Sequence, residues 1–121
     1  MTVALVTGGR DFCEIRPGAD HMGERRALGF ALDWVKPSAV IVGDANGADR
    51  WAVIWCERRG VPYHVERADW SRGGRGGPER NQRMVDMRPD VAVRFPGGRG
   101  TEDCAKRCAA AGIDIFEVCV K

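Results

Sequence analysis

A chain of 121 residues with 44% hydrophobic and 30% charged side chains has the length and makeup of one water-soluble domain, read here as spanning residues 1–121. No apolar run is long enough to cross a membrane and Met1–Val6 is too short for a secretory signal, so the expectation is a cytoplasmic protein with no membrane partner. The five cysteines are odd in number and form no CxxC pair, which argues against a disulfide framework or a zinc site and for reduced, buried thiols; neither a metal nor a cofactor is expected.

In chain order, Thr2–Thr7 reads as a compact apolar strand, followed at once by Gly8-Gly9-Arg10-Asp11-Phe12. A helix is expected from Asp20, a good N-cap, to about Val35, with Leu28, Ala31, Leu32 and Val35 at helical spacing. Ala39–Val42 is a second strand, and Gly43-Asp44-Ala45-Asn46-Gly47 its turn. The next helix carries Ala48, Trp51, Ala52 and Trp55 on one stripe, a core pattern, and stops at Gly60. Val61–Val65 is a third strand with Pro62 in its first turn or at a sheet edge. An irregular, glycine-rich piece runs over 68–77, of which residues 71–77 are expected to be mobile without a ligand and ordered over its phosphates with one, and Pro78 opens a helix through about Met87. Val91–Val93 is a fourth strand, followed by Phe95-Pro96-Gly97-Gly98-Arg99-Gly100-Thr101-Glu102-Asp103. A fourth helix, with Thr101 suited to its N-cap, ends at Gly112, and Ile113–Val118 is a fifth strand.

This alternation predicts an α/β fold: a three-layer, Rossmann-like domain of about five parallel strands with helices on both faces. All strand-to-helix turns of such a sheet lie at its carboxyl edge, where ligands bind. Eleven of the sixteen glycines fall in those four turns, beside Arg10, Arg50, Arg72, Arg75, Arg80 and Arg99. The opposite turns hold only Gly60 and Gly112. Glycines let backbone N–H groups approach an anion, a helix N-terminus attracts one, and arginine forks match phosphate. The asymmetry therefore points to a phosphate-bearing ligand. A bias of 16 Arg against 3 Lys also follows from a GC-rich genome, and a net charge of +2 is too small to indicate nucleic acid. Neither GxGxxG nor GKS/GKT is present, so a dehydrogenase or P-loop NTPase is not supported.

Five segments in order, Val6–Phe12, Gly43–Asp49, Asp69-Trp70, Gly77–Asn81 and Phe95–Thr101, resemble the YspA/YpsA-related branch of the SLOG superfamily, which also includes the DNA-processing protein DprA and the LOG phosphoribohydrolases. The resemblance covers nearly the whole chain. It implies a Rossmann-like fold and a pocket for a nucleotide-derived small molecule. The residues it brings to that pocket are Gly8, Gly9, Arg10, Asp11, Phe12, Asp44, Gly47, Asp49, Trp70, Arg80, Asn81, Pro96, Gly97, Gly98, Arg99, Gly100 and Thr101. In LOG enzymes the last motif reads PGGxGTxxE and its Glu takes part in cleaving an N-glycosidic bond; here that position is Cys104. Glu102 and Asp103 are acidic but one or two residues early, a rotation of roughly 100° per residue on a helix.

Three readings follow. The first is a module that binds such a ligand as sensor, carrier or sequestering protein, with a homodimer compatible with it. The second is a hydrolase at the ribose or phosphoribosyl centre, with Asp103, Glu102 or Asp44 as the working carboxylate. The third and weakest is single-stranded DNA binding as in DprA, for which Trp70 beside Arg72 and Arg75 is the only candidate patch. Each expectation has a bland counterpart: Glu102 and Asp103 suit a helix dipole, Asp44 and Asp49 suit turns and caps, and Phe12 and Trp70 suit either base stacking or packing over the loops.

Overall fold

The computed structural model describes residues 1–120. Five strands, β1 (Val3–Thr7), β2 (Ala39–Gly43), β3 (Tyr63–Glu66), β4 (Val91–Arg94) and β5 (Asp114–Glu117), form one sheet in the order β3-β2-β1-β4-β5, parallel throughout. Helices α1 (His21–Val35), α2 (Ala48–Arg59), α3 (Gly76–Asp86) and α4 (Arg99–Ala110) fill the crossovers. The strands are short and β-branched because both faces of the sheet are covered. Side chains alternate between two cores. Ala4, Val6, Val40, Val42 and Val93 meet Leu28 and Leu32 of α1 and Ala52 and Cys56 of α2, while Leu5, Ile41 and Ala92 meet Met84 and Val85 of α3 and Cys104 and Cys108 of α4. The expected three-layer architecture is the observed one.

Local signals place most element ends. Asp20 caps α1 by accepting the Gly23 N–H at 2.9 Å, and Gly60 ends α2 with φ 69°. Gly112, at φ 76°, follows α4. The segment over 68–77 departs from expectation. Residues Trp70–Arg75 form two short 3-10 turns broken at Gly73, where φ is 64°; the first is begun by Asp69, which accepts from the Ser71 N–H and hydroxyl. The second runs into α3, which therefore starts at Gly76 instead of Pro78. Pro78 sits in the first turn, where its missing N–H has no intrahelical partner to lose.

The chain moves outward from β1 through β2 to β3, then returns to place β4 on the other side of β1. The loops leaving β1 and β4 therefore diverge, opening a crevice at the carboxyl edge between them. Four of the five cysteines are buried and only Cys119 is exposed. Burial pushes the Cys13 thiol up to about 12 and the Cys56 thiol up to about 11, which suppresses the reactive thiolate at neutral pH. A disulfide reagent is thus expected to titrate one thiol quickly in the folded protein and the rest only after denaturation. Rapid reaction of two or more would contradict this packing.

Candidate functional site

A cleft of about 580 Å³ opens in that crevice. Its walls are the turns after β1 and β4, and its lining also includes Asp49 at the start of α2 and Arg80, Asn81 and Met84 from the middle of α3. The Gly9 backbone joins these parts: its N–H donates to Pro96 O at 2.8 Å, and its carbonyl accepts from Ala48 N–H at 3.1 Å and Phe12 N–H at 3.3 Å. Gly97 must be glycine for this approach, because a Cβ there would collide with Thr101 Oγ1 and stand 2.6 Å from Gly9 N. A Cβ on Gly98 or Gly100 would meet nothing within 4 Å.

Helix α4 starts one turn earlier than the sequence suggests. Gly98 is its N-cap, no side chain among the described residues caps it, and Thr101 lies inside the first turn, 4% exposed. The physical reason is the close approach at Gly97, which draws Thr101 inward to pack on the turn. The N-terminal amides of α4 are therefore left to the cleft, where Gly97, Gly98, Arg99, Gly100 and Thr101 form one wall.

The remaining expected residues divide. Gly8, Gly9, Arg10, Asp11, Asp49, Arg80, Asn81 and Pro96 line the cleft. Phe12 also borders the cleft, but the residue is 3% exposed and its ring stacks on Phe95 with centroids 5.4 Å apart, so it packs beneath the loop with little surface free for a base. Gly47 does not line the cleft; its φ of 72° turns the chain into α2 against the carbonyls of Gly9 and Arg10. Asp44 and Trp70 face a smaller hollow of about 230 Å³ shared with Arg10 and Arg80. Trp70 lies over the start of α3 near Gly77, half exposed, with the Arg10 guanidinium 5.9 Å from the ring. Arg80 donates to Asp44 at 2.8 Å and to Asn81 at 3.0 Å, and Asn81 holds α3 to α4 through Gly100 O at 3.2 Å.

Glu102 and Asp103, the carboxylates read as catalytic candidates, both turn away from the cleft. Glu102 is exposed and pairs with Lys106 at 3.4 Å. Asp103 faces Arg107 at 2.9 Å and Asn81 at 3.0 Å between α3 and α4. Burial would raise the Asp103 carboxyl, but the hydrogen bonds from Arg107 and Asn81 outweigh it and hold it below its ordinary range. That makes it a committed anion, unsuited to giving up a proton. Cys104 is fully buried against Cys108, far from a carboxylate's role.

Beside Asp11, the cleft presents two further carboxyls, of opposite character. Glu24 of α1 takes a bidentate ion pair from Arg16 at 2.8 Å and the Cys13 N–H at 2.9 Å, and the Arg16 hydrogen bonds hold it below the usual range. This pair pins the long connection from β1 to α1 as a wall of the cleft. Neither residue is conspicuous in the sequence; an Arg within the segment after the first glycine turn is the only cue. Asp49, by contrast, is 6% exposed, and its single protein hydrogen bond among the described residues is from Ala45 N–H to Oδ2 at 3.2 Å. Burial pushes its carboxyl up to about 7, against the opposing pull of that N–H and of Arg80.

No protein-family model matches the chain, and no curated protein matches it. Among the described residues no cluster of His, Cys, Asp and Glu is arranged to hold a metal ion, and no helix is long and apolar enough to cross a membrane.

Proposed function

We propose that this chain is a binding module for a nucleotide-derived small molecule, with the ligand's phosphate on the amides of Gly98, Arg99 and Gly100. The observation that carries the reading is the N-terminus of α4: no side chain among the described residues caps it, glycine leaves it sterically open, and it faces a cleft at the switch point between β1 and β4. The motif resemblance to the SLOG branch agrees with it. Arg10 and Arg99 add to it, since both line the cleft and neither forms an ion pair among the described residues. The hydrolase alternative draws less support, because Glu102 and Asp103 turn outward and are already paired.

The test is calorimetry with AMP and ADP-ribose on the wild type and on Gly98→Val. A side chain at Gly98 has room in the free protein and would project where the anion sits. Losing one charge-assisted hydrogen bond is expected to weaken binding roughly 10- to 100-fold, at about 1.5–3 kcal/mol. Arg99→Ala removes a single side-chain fork and is expected to cost less. Equal affinity of Gly98→Val and the wild type would overturn the cradle. Incubation with AMP, ADP-ribose or NAD is expected to leave no free base by chromatography; base release that depends on the protein would favour the hydrolase.

A further inference from the structure

Asp49 is a residue of the cleft that the phosphate cradle does not use. It stands in the first turn of α2, 6% exposed, at the edge of the cavity. Oδ2 accepts the Ala45 N–H, which leaves Oδ1 without a protein donor among the described residues. Oδ1 keeps some accessible surface, unlike Trp51 Nε1, which is sealed and unpartnered among the described residues, and Asp49 lines the cleft. It therefore opens to the cleft, and a buried carboxyl oxygen facing a cavity calls for a ligand donor.

The surroundings choose the donor. Asp49 and Arg80 lie side by side over Gly43, where an added Cβ would come 2.9 Å from Asp49 Oδ2 and 2.5 Å from Arg80 Nη1. The Arg80 guanidinium opposes a ligand cation, and it is committed to Asp44 at 2.8 Å. Asp44, and Asp49 once ionised, oppose a ligand anion. A neutral hydroxyl satisfies both constraints, because it donates to Oδ1 without bringing a charge.

We propose that Asp49 reads a hydroxyl of the ligand, so that the cleft selects a phosphorylated sugar, with phosphate on the α4 amides and hydroxyl on Asp49. The inference rests on the phosphate reading above and adds the sugar to it. The titratable and charged groups that face Asp49 are Asp44 from the turn after β2, Arg80 from α3 and Cys104 from α4. A hydroxyl donated to Oδ1 favours the ionised carboxyl, so sugar binding near pH 7 releases a fraction of a proton from Asp49.

Calorimetry with methyl phosphate and ribose 5-phosphate separates the two readings. The wild type is expected to bind ribose 5-phosphate at least about 10-fold more tightly, the worth of one or two good hydrogen bonds. In Asp49→Leu that advantage is expected to fall below about twofold, with methyl phosphate affinity unchanged. Asp49→Asn keeps the size and the acceptor for Ala45 N–H. Titrated in buffers of different ionisation enthalpy, it is expected to lose the extra proton release seen with ribose 5-phosphate in the wild type. Binding of neither probe by the wild type would overturn the cradle and this inference together. Equal affinity of the two probes, an advantage that survives Asp49→Leu, or the same proton release in Asp49→Asn would overturn this inference and leave the cradle standing.

Discussion

Asp49→Asn is expected to be more stable than the wild type at pH 8 and no more stable than it at pH 4. The folded protein holds the Asp49 proton up to about pH 7, whereas an Asp in the unfolded chain releases it near 3.8. Between those values the folded state binds more protons than the unfolded state, so stability falls as pH rises. The contribution is fully present below the unfolded value and is lost by the time pH passes the folded one. Each pH unit across that window costs about 1.4 kcal/mol, and the whole window amounts to a few kcal/mol. Asn cannot ionise, so the difference between variant and wild type should open progressively from pH 4 to pH 7 and then level off. At pH 8 the melting temperature of the variant is expected to be roughly 5–15 °C higher. Glu24, Glu66, Asp69 and Asp103 are held low and act in the opposite sense, losing their contribution as pH falls. Taking the difference of the two pH curves removes them. Parallel curves from pH 4 to pH 8 would mean that Asp49 is ionised at ordinary cost. A carboxyl kept at such a cost on the wall of a cleft is the pattern expected of a group retained for binding.

Gly47→Ala is expected to destabilise the protein by about 3–5 kcal/mol, a large part of the total stability of a chain this size. Gly47 has φ 72° and ψ −126°, a conformation open to glycine and strongly unfavourable for L side chains. The added Cβ would also fall on the carbonyl oxygens of Gly9 and Arg10, with no flexible side chain to give way. Backbone strain and overpacking each cost about 1–3 kcal/mol. The displaced carbonyl of Gly9 is the acceptor for Ala48 N–H, so the damage reaches the junction of β1 and α2. Gly98→Ala is the control: with open space around its Cβ it is expected to stay within about 1 kcal/mol of the wild type. Urea unfolding of the three proteins decides it, and a midpoint for Gly47→Ala equal to that of Gly98→Ala would sink the argument. Gly47 thus shapes the site without touching its cavity, a distinction the turn sequence Gly43–Gly47 does not carry.

What could be read from the sequence alone was whatever depends on neighbours a few residues apart. The apolar pattern of Ala4–Val6, Val40–Val42 and Ala92–Val93, alternating with helices that bury Leu28, Ala52 and Cys104, prescribes a covered parallel sheet. Asp20, Gly60 and Gly112 mark helix ends because capping is local. Parallel topology then sends every glycine-rich turn to one edge, so the location of the cleft was legible before its shape. The tertiary structure decided what each side chain does there. Glu102 and Asp103 are separated from a working geometry by the start of α4 at Gly98, which a contact between Gly97 and Thr101 sets. Phe12 is withdrawn by Phe95, Arg16 is tied to Glu24, and Arg80 is tied to Asp44 across 36 positions of chain. Asp49 takes its proton affinity from burial among β2, α3 and α4. A carboxyl's environment is the sum of groups brought together through space, and no spacing along the chain encodes it.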